Sequence, residues 1–208
     1  MLVNGKPLLA HWLEALDKVG VDEFIINSHY FAEQVEAFVA QHPLRNKVSL
    51  QFEPELRGTG GSLKAYANEL RADTFLVAHA DNFVIADWSA FFKHHKNRSV
   101  GIEISMMTFT TDTPSSCGIV EVDELNILQK FHEKSSTPPG NQANGAIFLM
   151  EPSVLNFIDT IHEPSFEISK SVIPNYLGRC QIWHNTAPLI DIGTPENYKK
   201  ANALFEEV

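Results

Sequence analysis

Cysteine is scarce in this chain: Cys117 and Cys180 are the only two in 208 residues. They lie too far apart for a CxxC pair and are too few for a disulfide scaffold, so a reducing, cytoplasmic setting is expected. No apolar run reaches membrane-spanning length, and no secretory apolar stretch opens the sequence, so no membrane partner is expected. Basic residues are short as well. Sixteen Lys and Arg against 26 Asp and Glu give a formal net charge of −10, which argues against nucleic acid or anionic lipid as a partner. A small phosphorylated substrate stays open, because a local basic group or a metal can serve there. Internal repeats and low-complexity tracts are absent, which sets aside repeat architectures.

What is present is an ordinary globular composition, 44% apolar, on a length that suits one domain, residues 1–208, with a real core. The chain is organised around Val48–Phe83, which reads as strand, glycine loop, helix, strand and acidic turn. Val48–Phe52 is an apolar strand. Glu53–Gly61 is a loop punctuated by Pro54 and three glycines. Ser62–Leu70 has the apolar spacing of a helix with one buried face. Thr74–Ala78 is a second strand, with Asp81 and Asn82 at its carboxyl end. Ligands of open parallel α/β sheets gather beyond that end of the strands.

Either side of this segment, helix and strand patterns alternate. Pro7 starts a helix with the stripe Leu8, Leu9, Trp12, Leu13, Leu16 and Val19, stopped at Gly20. Phe24–Ile26 is a strand, and Phe31, Val35, Phe38 and Val39 mark a helix ended near His42-Pro43. Asp87 caps a helix over Trp88–Asn97, and Ile102–Phe109 is a long strand. Gly118–Val122 and Ile127–His132 pair about a turn, and Ala146–Met150 is another strand. Pro152 starts a short helix to Ile158, and Ser165–Val172 reads as helical. Gln181–His184 is a strand. Thr194 as cap, with Pro195 at the first helical position, opens a last helix to about Glu206. The pattern predicts an α/β class with a mostly parallel sheet and an antiparallel extension from the strand-rich centre.

The candidate chemistry sits at strand ends. Asp81 and Asp191 each follow an apolar stretch and could hold a hard divalent cation through carboxylate oxygen; Asp81 also reads as a turn or capping residue, and Asp191 as a turn residue. Glu53 has the acceptors for a guanine-like edge, and the glycines after it let a ligand approach the backbone; an ordinary strand-to-helix loop is the plain alternative. Gly58, Gly60 and Gly61 fit neither the dinucleotide fingerprint nor the phosphate loop of P-loop enzymes. Glu133-Lys134 and Asn144-Gly145 could bind sugar hydroxyls and a phosphate, or be surface polar groups contributing little. His29, His79 and His132 have no zinc spacing.

Eight segments in order resemble one family. They are GKPLLAHWLEAL at Gly5, EPELRGTGGSL at Glu53, ADN at Ala80, CGIVEVD at Cys117, FHEK at Phe131, NGAIFL at Asn144, FEISKSVIP at Phe166 and DIGTPENY at Asp191. The chain resembles the sugar-phosphate nucleotidyltransferases over essentially its whole length. It is most similar to the mannose-1-phosphate and heptose-1-phosphate guanylyltransferase-like group, with muramate-1-phosphate uridylyltransferases nearby. The resemblance implies a three-layer, Rossmann-like fold of the nucleotide-diphospho-sugar transferase type. It implies a reaction in which a nucleoside triphosphate and a sugar 1-phosphate give a nucleotide sugar and pyrophosphate. It places Glu53, Gly58 and Thr59 at the nucleotide, and Asp81 and Asp191 on Mg²⁺. Gly118, Glu133 and Asn144 fall at the sugar and Lys134 at its phosphate. A homo-oligomer is compatible with it.

The same resemblance exposes a departure. The family opens with a buried strand, a GxGTR loop that wraps the triphosphate, and a Pro-Lys-Pro segment. This chain opens at MLVNGKPLL, which resembles the family's residues just after that Pro-Lys-Pro segment. Lys6 is not equated with the family lysine. The absent strand belongs centrally, between Phe24–Ile26 and Thr74–Ala78, where an open gap would strand buried backbone polar groups. A start placed too late, a degenerate homologue, or a rearrangement in which neighbouring strands or another chain fill the gap are the alternatives, and weak or absent transferase activity is expected of the chain as it stands. Glu53 favours guanine, since the N1–H and 2-amino group both suit its oxygens while uracil offers one comparable donor. A uridylyltransferase, and a non-catalytic nucleotide- or sugar-phosphate-binding homologue, are the alternatives.

Overall fold

The structure is a computed structural model and describes residues 1–70 and 73–205. It opens with a small antiparallel hairpin, β1 (Leu2–Val3) and β2 (Lys6–Pro7), turned by Asn4 and Gly5, both with positive φ. Helix α1 (Leu8–Asp17) buries Leu8, Trp12, Leu13 and Leu16 on one face. It stops as expected at Gly20, whose φ of +91° favours glycine and whose N–H donates to the Asp17 carbonyl at 3.0 Å. Strand β3 (Phe24–Ser28), helix α2 (Ala32–Gln41) and strand β4 (Val48–Phe52) come after it, with β3 and β4 parallel. Phe31 does not join the buried stripe of α2 that its spacing predicts. It precedes the helix with φ +55° and accepts from Gln34 and Val35 through its carbonyl, leaving its ring 74% exposed.

Helix α3 (Gly58–Ala65), β5 (Phe75–Ala78), β6 (Asn82–Val84) and α4 (Trp88–Lys96) come next. Asp87 caps α4 as expected, accepting from Ala90 N at 2.9 Å. The chain continues through β7 (Ile104–Thr110), β8 (Gly118–Val122), β9 (Leu128–Glu133), β10 (Gln142–Met150) and α5 (Ser153–Asp159). It ends with β11 (Cys180–His184), β12 (Leu189–Asp191) and α6 (Pro195–Ala203). Thr194 caps α6 by accepting from Asn197 N at 3.2 Å. The expected end of α6 near Glu206 lies outside the described residues.

The architecture is the expected α/β type with a mixed sheet, but its parallel share is smaller than expected. In the main sheet β5, β7 and β11 run one way. The long strand β10 runs against them, paired with β5 and β8 on one side and β7 on the other, and β8–β9 form the antiparallel extension. Residues alternate across this sheet. Phe75, Met106, Phe148 and Met150 face a layer shared with α3 and α5. Leu76, Met107, Ile147 and Leu149 face a layer shared with α1, α4 and α6. Burial on both faces makes the strands near-continuous apolar runs.

The β3–β4 pair stands apart. Among the described residues no strand links β3 to β5 by hydrogen bonds. Yet Phe24 and Ile26 of β3 share an apolar layer with Leu76 and Ala78 of β5. β3 and β5 thus share one layer without being paired, at the place where the family's first strand is expected.

Candidate active site

The glycine segment is helical from Gly58, four residues earlier than the sequence suggests, and the reason is a docking partner. Gly60 N and Gly61 N donate to the Phe166 carbonyl at 2.9 and 3.3 Å, and Phe166 N donates to the Arg57 carbonyl at 3.0 Å. Thr59 donates from N and Oγ1 to Glu167 Oε2, at 3.2 and 2.6 Å, and its Oγ1 accepts from Ile168 N at 2.9 Å. These contacts satisfy first-turn donors that a helix leaves unpaired. They also keep Ser165–Glu167 out of the helix expected there; the chain coils over Ile168–Val172 as a wide π turn and goes on as a tighter turn over Ile173–Tyr176, which contains Pro174. Glycine is required at Gly60, where an added Cβ would lie 2.3 Å from the Phe166 ring. At Gly58, φ is +70° and a Cβ would lie 2.6 Å from the Phe166 carbonyl oxygen. Gly58 and Thr59 are thus engaged with Phe166-Glu167, the packing use that is the plain alternative to ligand binding. The Thr59 hydrogen bonds hold the Glu167 carboxyl below its ordinary value, against its partial burial.

Glu53 immediately follows β4 and is 1% exposed. Its N–H donates to the Ser28 carbonyl at 2.8 Å, and its carbonyl accepts from His29 Nδ1 at 2.6 Å, so its backbone is pinned to the carboxyl end of β3. Its Oε1 accepts from the Tyr66 hydroxyl at 3.1 Å. Its Oε2 is buried and has no hydrogen-bond partner among the described residues. Burial, then the Glu53 charge, push the Tyr66 phenol above its ordinary value, so Tyr66 stays a donor at neutral pH.

Asp81 and Asp191, 110 positions apart, are brought to neighbouring backbone positions. Strand β12 pairs antiparallel with β6, setting Asp191 opposite Asn82, and Ile192 N donates to the Asp81 carbonyl at 3.2 Å. Both aspartates are exposed. The Asp81 carboxylate has no partner among the described residues, while Asp191 Oδ1 accepts from Gly193 N at 2.8 Å. Asn82, noted in the sequence only as the residue after Asp81, is the hub beneath them. It is buried, donates from Nδ2 to the Gly145 carbonyl at 3.2 Å, and accepts at its own carbonyl from Trp12 Nε1 at 2.9 Å. A polar residue inside the run Ala78–Ile85 was the available signal.

That Gly145 contact ties in the Asn144 candidate. β10 bulges between Asn144 and Ile147. Asn144 Oδ1 accepts from Ala146 N at 2.9 Å, Ala146 takes φ +53°, and its carbonyl accepts from His79 N at 3.3 Å. The expected strand over Ala146–Met150 therefore begins earlier, at Gln142, with the bulge aimed at the turn before Asp81. Gly118 and Glu133 are register partners on β8 and β9, and Glu133 Oε2 lies 3.0 Å from where a Gly118 Cβ would sit. Lys134 comes next, exposed, with φ +47° and its N–H donating to the Cys117 carbonyl at 3.2 Å. The structure thus ties Glu53 to Tyr66, sets Asp81 and Asp191 at adjacent backbone positions, links the Asn144 bulge to His79 through the Ala146 carbonyl, and pairs Gly118 with Glu133 next to Lys134.

The strand order is that of an α/β fold with a mixed sheet, and the candidate carboxylates Asp81 and Asp191 lie at strand ends. The chain belongs to the nucleotidyl transferase family, whose pattern matches residues 1–208. It is 31% identical over 210 residues to a probable mannose-1-phosphate guanylyltransferase 1 of Oryza sativa subsp. japonica, covering 97% of this chain and 57% of that protein. The chain thus spans a little over half the length of such curated relatives. Among solved structures, HddC from Yersinia pseudotuberculosis complexed with GMP-PN matches with TM-score 0.78 and 22% identity, over 99% of this chain and 88% of that one. A putative glucose-1-phosphate thymidylyltransferase from Bacillus anthracis, in complex with a sucrose, matches with TM-score 0.85 and 17% identity, over 100% of this chain and 86% of that one.

Proposed function

We propose that this chain carries the site of a sugar-1-phosphate nucleotidyltransferase. It would join a nucleoside triphosphate, GTP by preference, to a mannose- or heptose-like sugar 1-phosphate and release pyrophosphate. The observation that carries the reading is the adjacency of Asp81 and Asp191 across β6 and β12. Mg²⁺ is the cofactor this pair suits: both are hard oxygen donors, and Asp81 has no competing partner among the described residues. When bound, the ion supplies charge neutralisation at the phosphates.

The chain's own residues would position the reactants. Glu53 Oε2 would accept from the base, with Gly58 and Thr59 beside it; Gly118, Glu133 and Asn144 would hold the sugar, and Lys134 its phosphate. An oxygen of the sugar phosphate attacks the α-phosphorus in line, a new P–O bond forms, and the bond to the β-phosphate breaks with pyrophosphate leaving. No covalent enzyme intermediate is needed, so catalysis rests on orientation and charge. We place this work in the cytoplasm, within one domain over residues 1–208, with a homo-oligomer compatible and neither nucleic acid nor membrane involved. Among the described residues no helix is long and apolar enough to cross a membrane.

A second reading, a non-catalytic binder of nucleotide or sugar phosphate, is favoured by two observations. Among the described residues no strand hydrogen-bonds β3 to β5, and Lys6 is committed to an ion pair with Glu14. Pyrophosphate release from GTP or UTP with mannose 1-phosphate separates the readings. It is measured on this chain and on a version preceded by a GxGTR and Pro-Lys-Pro segment. Strong release from the extended version and little from the chain itself is expected. Equal, robust release from both would contradict the need for the segment. Silence from both, over a broad sugar-phosphate panel, would leave only the binding reading.

A further inference from the structure

We propose that Tyr66 is a specificity-determining positioning residue that holds the Glu53 carboxylate in the attitude that selects the base. The inference rests on the nucleotide-site reading of Glu53 and goes beyond it, to a residue on a different element. The geometry is asymmetric. One carboxylate oxygen is claimed by the Tyr66 hydroxyl at 3.1 Å, and the other is buried with its acceptor positions unfilled. A buried acceptor without a donor is costly, and more so when charged. A donor brought by a ligand would relieve that cost. The unfilled oxygen is the acceptor that an incoming N–H would satisfy, and a base reaches it only when the atoms covering Glu53, which is 1% exposed, move aside.

The backbone of Glu53 is fixed by Ser28 and His29, so the remaining freedom is rotation of the side chain. The Tyr66 hydroxyl, just past the end of α3, removes it. A carboxylate has about four acceptor positions. With Tyr66 occupying one, the free oxygen suits the N1–H of a guanine, and the second lone pair of Oε1 is left for its 2-amino group. Hypoxanthine offers the N1–H alone. Adenine presents an acceptor where guanine has the N1–H, and that acceptor meets the carboxylate with like polarity. Fixing the carboxylate therefore sharpens the choice among purines, whereas a carboxylate free to turn would rank them less steeply.

The test is equilibrium binding of GTP, ITP and ATP to the whole chain and to Tyr66→Phe, Glu53→Gln and the double variant, with a melting curve for each. In the wild type GTP should bind tightest, ITP next and ATP weakest. Tyr66→Phe should weaken GTP about tenfold and leave ATP nearly unchanged, collapsing the ratio, and the same substitution should leave the ratio unmoved once Glu53 is Gln. If Tyr66→Phe does not fold, Tyr66→Gln, which keeps a donor, should retain the GTP preference. A ratio in Tyr66→Phe equal to the wild type's, while Glu53→Gln loses it, would overturn the role of Tyr66 and keep that of Glu53. Equal weakening of all three nucleotides would mark Tyr66 as structural only and overturn the proposal too. No purine preference in the wild type would overturn the Glu53 reading, and the proposal with it.

Discussion

At the level of single residues, the sequence points to carboxylates, and the structure separates them by what they touch. Glu167 stands out in the sequence only as part of a motif, yet it fastens the start of α3 through two bonds from Thr59. Its carboxyl is held below the ordinary value of 4.5, with the Thr59 hydroxyl bond the leading cause. A depressed folded-state value means that the unfolded chain binds the proton first as pH falls. The stabilisation is therefore present above about pH 4.5 and is lost as pH drops through the lower, folded value. Glu167→Gln should melt a few degrees below wild type at pH 7, and the two curves should converge as the pH is taken below 4.5. A constant difference across that range would mean that the charge of Glu167 contributes nothing. No local pattern marks such a residue, because its partner lies 108 positions away.

Among elements, those defined by local chemistry were legible and those defined by distant partners were not. The capping residues Asp87 and Thr194 and the stop at Gly20 stand where their side chains or φ freedom predict. α3 does not, because its start is fixed by the Phe166 carbonyl and not by its own apolar spacing. The polar head of β10, Gln142–Gly145, hides a strand whose bulge is set by the turn at His79. The three glycines look like room for a ligand; in the fold Gly60 is room for Phe166. Gly60→Ala should therefore destabilise the protein by about 1–3 kcal/mol in urea unfolding through overpacking. That outweighs the roughly 1 kcal/mol that alanine gains over glycine inside a helix. Gly140→Ala, where an added Cβ meets nothing within 4 Å, is the matched control and should be nearly silent. Equal stability of the two variants would refute this account of the glycine turn.

For the molecule as a whole, the alternation of helix and strand gave the α/β class, and the strand-rich centre gave the antiparallel extension. The separate β3–β4 pair is also legible in the sequence, once the opening is seen to resemble the part of the family that comes after a first strand. The antiparallel course of β10 through the main sheet was not legible, since strand direction depends on long-range order that no window of residues records. The site depends on that order: β12 returns to β6, and two aspartates 110 positions apart become neighbours. Whether they serve one ion is best measured with Mn²⁺ as a paramagnetic substitute for Mg²⁺, titrated in the presence of GTP. One ion per chain should bind, Asp81→Asn and Asp191→Asn should each weaken it at least tenfold, and the double variant should be little worse than the weaker single one. Unchanged Mn²⁺ binding in either single variant would contradict a shared site.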